Sequence, residues 1–162
     1  MLCWEEKVMN IRKGTIKDYD ALLDLHLQLE AAEIQFDSNV LPDCFATDKG
    51  RNRLMKRIRK RNSVLLVCEN DAGNVVGFID GEVMDNAWWY HEKVAMLDYI
   101  CVDKNYRRKG IANMLFLEFE QKVHEQGAKY IKLLAFPKNT PAINFYKKHG
   151  LMEYSVYYQK KI

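Results

Sequence analysis

Asp98-Tyr99-Ile100-Cys101-Val102-Asp103-Lys104-Asn105-Tyr106-Arg107-Arg108-Lys109-Gly110-Ile111-Ala112 is a strand-forming run that passes through a basic loop into a helix. The helix has a glycine and an alanine among its first residues. A helix N-terminus offers N–H groups without intrahelical partners and about half a positive charge. Where the side chains there are small, a phosphate can reach the backbone itself. Arg107, Arg108 and Lys109 add full charges beside the same spot. The same residues also suit a solvated basic turn in which Gly110 merely eases the bend, and a glycine-bearing motif alone does not decide between the two.

Outward from this stretch, the pattern of apolar residues gives an ordered series of elements. On the N-terminal side, Val8–Arg12 reads as a short strand. Leu22, Leu25 and Leu29 make one face of a helix that starts at Asp18, a suitable N-cap. A loop with Asp37, Ser38, Asn39 and Pro42 leads to a second helix over Asp48–Arg61. Ser63–Glu69 and Val75–Met84, separated by Asp71-Ala72-Gly73-Asn74, form a hairpin, and Lys93–Val102 is the next strand. On the C-terminal side, Ile111–Gln126 is an amphipathic helix that Gly127 ends. Lys129–Phe136 is a strand, Thr140-Pro141 opens a short helix that Gly150 closes, and Tyr154–Lys160 is a last strand. The order β-α-α-β-β-β-α-β-α-β describes an α/β or α+β fold with a mixed central sheet.

Arg107-Arg108-Lys109-Gly110-Ile111-Ala112 resembles the Arg/Gln-x-x-Gly-x-Gly/Ala pyrophosphate loop of the GNAT superfamily of acetyl-CoA-dependent N-acetyltransferases. Asn139-Thr140-Pro141-Ala142-Ile143-Asn144-Phe145-Tyr146-Lys147-Lys148-His149-Gly150 is similar to that family's Asn-x-x-Ala-x-x-x-Tyr-x-x-x-Gly segment. The two motifs stand in the family's order, on the family's elements. Two positions depart from the common pattern: Ala112 stands where many members have glycine, and so does Arg108, at a variable position. The resemblance implies a splayed sheet over nearly the whole chain, with acetyl-CoA as co-substrate between the strands ending at Val102 and Phe136. Backbone along Ile100, Cys101 and Val102 would hold the pantetheine and thioester, and backbone from Arg107 through Ala112 the pyrophosphate. Asn139 would bond backbone freed by the splay, or the cofactor, or simply serve its own turn. Tyr146 would protonate the departing thiolate. The family often carries an acidic base on the central strand or its neighbour, which makes Asp98 the first candidate, with Asp80 and Glu82 as rivals. Strict alternation puts Asp98 on the face of Ile100 and Val102.

The remaining features bound these expectations. A length of 162 residues with 48% hydrophobic and 29% charged residues fits one globular domain over 1–162, with 1–8 as a loosely ordered extension. The longest apolar run, Val64–Cys68, is far short of the about 20 residues a membrane span needs. Glu5, Glu6 and Lys7 occupy the place of a signal peptide's apolar stretch, so a cytoplasmic protein is expected. Cys3, Cys44, Cys68 and Cys101 show no CxxC pair, which suits reduced thiols, and the scattered histidines give no metal spacing. A net charge of +3 is too weak to imply nucleic acid, and the cations between Arg51 and Arg61 suit a solvated helix face better than a binding patch. Trp88, Trp89, Tyr90 and His91 suit an acceptor pocket or a homodimer interface. Glu30, Glu33 and Asp37, with Asp80, Glu82 and Asp98, predict an acidic acceptor end that favours a cationic small-molecule or peptide amine. The expected activity is acetyl transfer to a primary amine by direct attack. A CoA-binding sensor without turnover and a nucleic-acid-binding module are the other readings.

Overall fold

The unbroken apolar run from Val64 to Cys68 leaves neither face of its strand to water, and the layers are built around that constraint. In the computed structural model, which describes residues 9–85 and 89–162, the elements are β1 (Asn10–Lys13), α1 (Tyr19–Glu33), α2 (Asp48–Arg59), β2 (Ser63–Glu69), β3 (Val75–Met84), β4 (Val94–Val102), α3 (Ile111–Glu125), β5 (Tyr130–Lys132) and α4 (Thr140–Lys148). Strands β1 to β4 pair antiparallel in sequence order, and β5 joins β4 in parallel. Side chains of β2 alternate between two cores. Val64, Leu66 and Cys68 pack with Leu115, Phe116 and Phe119 of α3. Leu65 and Val67 pack with Leu22 and Leu25 of α1, Leu54 of α2 and Phe45. A Cβ at Gly81 would lie 2.6 Å from the ring of Phe119 and 2.4 Å from the Met96 carbonyl, so only glycine lets α3 sit this close to the sheet.

Two expectations for the chain ends need correction. β5 is only Tyr130–Lys132 rather than Lys129–Phe136, because its partner turns away after Met96 and leaves Leu133–Phe136 no ladder to join. No strand forms over Tyr154–Lys160: residues 151–162 carry no regular structure, and the Tyr154 ring lies instead 3.9 Å from the Lys132 ammonium. Asp18 does precede α1, but its carboxylate turns back to the Thr15 N–H (2.7 Å) and to Arg12, serving the turn before the helix. The 1–8 extension lies outside the described residues. Among the described residues, no helix is long and apolar enough to cross a membrane.

The feature that shapes the site is an irregularity in β4. Asp80 pairs with Tyr99 and Gly81 with Leu97, so Asp98 has no opposite residue and forms a bulge. Ala95 and Leu97 face α3 before the bulge, and Ile100 and Val102 face it after. The alternation therefore skips a residue. Asp98 does not share a face with Ile100 and Val102, and it meets Arg57 of α2 instead.

His26 sits in the α1–α2 core, 2% exposed, stacked on Phe45 at 4.1 Å, with Nδ1 unpartnered among the described residues. Burial, aided by the charges of Arg57 and Arg53, pushes its pKa down from 6.5 to about 3. Between these values the unfolded chain binds a proton that the folded chain refuses. Stability is thus fully present above the unfolded pKa and is lost as pH falls through it toward the folded one. Melting temperature is expected to drop between pH 7 and about pH 4.5, and His26→Phe, which keeps the stack, is expected to shrink that drop. Paired thermal melts at the two pH values measure it.

Candidate active site

Because β4 leaves β5 at Met96, the backbone beyond the bulge has one open edge, and a cleft of about 410 Å³ runs along it. On that edge, alternate residues turn N–H and C=O groups away from the sheet. Its floor is Asp98–Val102 of β4. Arg107, Arg108 and the first turn of α3 (Gly110–Asn113) form one wall, and Leu134, Asn139, Phe145 and Tyr146 form another. Leu29 and Glu33, near the end of α1, close the side. The structure thus gathers Asp98, Ile100, Cys101, Val102, Arg107, Arg108, Gly110, Ile111, Ala112, Asn139 and Tyr146 around one space. Lys109 is not on its lining: the ammonium reaches the Asn105 carbonyl at 3.4 Å and lies 4.8 Å from the Tyr106 ring centre. Asp80 and Glu82 also lie off the lining.

The loop before α3 has a conformation that suits an anion. Arg108 (φ 62°) and Gly110 (φ 80°) are both left-handed. The first helical bond runs from Met114 N–H to the Gly110 carbonyl (3.0 Å), so the N–H groups of Ile111, Ala112 and Asn113 precede the ladder. A Cβ built on Gly110 meets nothing within 4 Å, so the space in front of the helix is open. Arg107 donates from Nε to the Val102 carbonyl (3.0 Å), which ties the end of β4 to the loop. A non-glycine residue at the Arg108 angle costs about 1–2 kcal/mol, which accounts for glycine being common there in the family the motif resembles.

The carboxylates are less free than their number implies. Arg57 bonds Asp80 (2.6 Å), which is 1% exposed, and also Asp98, so one guanidinium holds both sides of the bulge. Burial pushes the Asp80 carboxyl up to about 6, with Arg57 and Ser63 pulling it back. Lys60 pairs with Glu82. Glu30 is buried and accepts from the Phe45 N–H at 3.2 Å and from the Cys44 thiol. Asp37 accepts from the Asn39 N–H at 2.9 Å in its own loop. Of the six expected in an acidic end, only Glu33 and Asp98 line the cleft.

Tyr146 lies on α4 half-buried, and burial together with the charge of Glu33 pushes its phenol up to about 12, so it carries its proton at neutral pH. Asn139 caps α4, its Oδ1 accepting from the Ala142 N–H at 3.3 Å. Cys101 is 5% exposed and burial pushes its thiol to about 12, a poor nucleophile. Trp88 lies outside the described residues, while Trp89 is exposed, packs edge-on to Tyr90, and like Tyr90 is not on the cleft lining. Sequence reading missed Leu29, Tyr106, Leu134 and Phe145 on the lining, since nothing distinguishes such residues from ordinary core. Among the described residues, no cluster of His, Cys, Asp or Glu is arranged to hold a metal.

A sequence model of the acetyltransferase (GNAT) family matches residues 28–151. The L-amino acid N-acetyltransferase AaaT of Escherichia coli (strain K12) is 28% identical over 142 residues, which cover 86% of this chain and 80% of that protein. Among solved structures, a tetramutant of the BH1408 protein from Bacillus halodurans superposes with a TM-score of 0.83 at 18% identity, covering 94% of this chain and 99% of that one. The aminoglycoside N-acetyltransferase AAC(6')-Iy, solved in complex with CoA, superposes with a TM-score of 0.75 at 19% identity, covering 99% of this chain and 100% of that one. At such identities the superpositions speak for the fold alone. They agree with the mixed sheet and its flanking helices.

Arg57→Leu would leave Asp80 buried without a cation, and removing one partner of a buried pair costs about 3–5 kcal/mol. A fall in denaturation midpoint is expected, smaller at acid pH where Asp80 takes up a proton. Adding Asp80→Asn, which can still bond Ser63, is expected to restore part of it. Chemical denaturation of the single and double variants measures both.

Proposed function

The chain belongs to the GNAT family of acetyltransferases, and from that premise we propose that it moves the acetyl group of acetyl-CoA to a primary amine by direct attack in a ternary complex. One observation carries the reading: a single cleft combines an open strand edge, a free helix N-terminus with space before it, and a protonated phenol. Those parts fit the groups of acetyl-CoA in turn. The N–H groups of Ile111–Asn113 and the charges of Arg107 and Arg108 receive the pyrophosphate. The open edge of β4 bonds the pantetheine amides as an added strand, and a β4 N–H is aimed at the thioester oxygen, where negative charge develops. Acetyl-CoA supplies an activated acyl group with a thiolate leaving group. Tyr146 gives its proton to that sulfur. The buried Cys101 thiol favours direct attack over an acetyl-cysteine route.

The amine acceptor is supported by the names of two similar proteins, an L-amino acid N-acetyltransferase and an aminoglycoside N-acetyltransferase. L-amino acids and aminoglycosides are both small-molecule amines. The shared class, a small-molecule amine, is the acceptor proposed for this chain. A cleft whose one unpaired carboxylate among the described residues is Glu33 favours a cationic amine over an acidic one.

Three measurements test the reading. Free thiol release from acetyl-CoA is expected with at least one member of a panel holding amino acids, a diamine, an aminoglycoside and a lysine peptide. CoA binding without any thiol release would favour the sensor reading. Gly110→Glu adds a negative side chain to the open space before α3, so calorimetry is expected to register loss of CoA binding in a folded protein. Unchanged affinity would sink the pyrophosphate assignment. Tyr146→Phe keeps the ring and deletes the hydroxyl; kcat is expected to fall by roughly 10²–10³-fold with little change in melting temperature.

A further inference from the structure

The proposed reaction needs a group that takes a proton from the incoming ammonium, and the carboxylates of the sheet are poorly suited to it. Asp80 is off the cleft, Glu82 is off the cleft and bound to Lys60, and Asp98 is bound to Arg57. A carboxylate already holding a guanidinium gains little by approaching a second cation. Glu33 differs on each count. It lies in the last turn of α1, is half-buried on the cleft lining with Tyr146, and has no ion pair or hydrogen bond from its side chain among the described residues.

We propose that Glu33 is the base of the acetyl transfer, facing the reacting atoms from α1 while Tyr146 faces them from α4. The inference rests on the acetyltransferase reading above. An ammonium N–H bond breaks toward a Glu33 carboxylate oxygen, which becomes a carboxylic acid. The freed nitrogen lone pair forms the bond to the thioester carbonyl carbon. The carbon–sulfur bond breaks with its electron pair on sulfur, and sulfur takes the Tyr146 proton. The second proton leaving nitrogen restores the phenol, and Glu33 returns its own to solvent. Amide, thiol and one proton leave the site, which balances the ammonium and thioester that entered.

The surroundings support the assignment. The ionisable groups around Glu33 are Glu30 on its own helix, Cys44 beside that helix, Cys101 on β4 and Tyr146 on α4, with Asp98 and Arg107 further along the cleft. Burial and the charge of Glu30 both push its carboxyl up. That narrows the gap to an ammonium of pKa about 10.4 and makes proton transfer less uphill.

The test uses the full chain with the amine that the panel identifies. Glu33→Gln is expected to lower kcat/KM at neutral pH by roughly 10²-fold or more. The deficit should shrink as pH rises toward the pKa of the amine, which then arrives already neutral. CoA affinity and melting temperature should stay put, and Glu33→Asp should recover part of the rate. A normal rate in the Gln variant, or a deficit equal at every pH, would overturn the assignment while leaving acetyl transfer intact. Absence of thiol release from the wild-type chain with any amine would overturn both.

Discussion

The bulge at Asp98 is the constraint on which the cleft depends. One extra residue in β4 breaks its alternation, increases the local twist and carries the strand away from β5 after Met96. A strand edge opened in the middle of a sheet exposes unpaired N–H and C=O groups, which is costly unless something bonds them. The fold holds this irregular point from outside. Arg57, reaching in from α2, bonds Asp80 on one side of the bulge and Asp98 on the other. Each charge offsets the burial of the others, and the α2 layer is fastened to the sheet where the sheet is least regular.

Most of the proposed cofactor contacts come from backbone. The open β4 edge, the left-handed turn at Arg108 and Gly110, and the first N–H groups of α3 all present main-chain groups. Such groups are set by conformation rather than by side-chain identity. That is why a chain with arginine where relatives of the motif often have glycine still forms the turn: the left-handed angle is kept at a modest steric cost. The side chains that do matter are few, and they lie where three separate segments meet: the end of α1, the edge of β4 and the middle of α4.

Charge at the site is decided by pairing. Six carboxylates expected from their sequence positions to make an acidic end become one clamp that holds two of them, one surface pair, one buried bond to backbone and thiol, one loop turn, and a group at Glu33 that is unpaired among the described residues. The basic run on α2 divides in the same way. Arg57 and Lys60 bond acids of the sheet, and Arg51 donates to the Ala46 carbonyl at 3.0 Å. Only Arg57 of that run is drawn into the contact between layers, while Arg51, Arg53, Lys56, Arg59, Lys60 and Arg61 stay exposed as a solvated face.

The amino-acid sequence by itself determined the order of the elements from β1 to α4, the apolar run of β2, the turn and helix start at Arg107–Ala112, and the placing of Asn139 just before, and Tyr146 within, one later helix. These follow from local signals: apolar period, caps, glycine and proline positions, and two motifs of fixed spacing. Only the tertiary structure decided the facing of Asp98, because a bulge shifts side-chain phase without leaving a mark in composition. It also decided that Tyr154–Lys160, although rich in strand formers, stays out of the sheet, since a strand needs a partner edge and β5 ends at Lys132. Last, it decided which carboxylate remains free. Glu33 and Asp98 both offer a carboxylate in the sequence, and what separates them in the fold is that Arg57 reaches Asp98 and not Glu33.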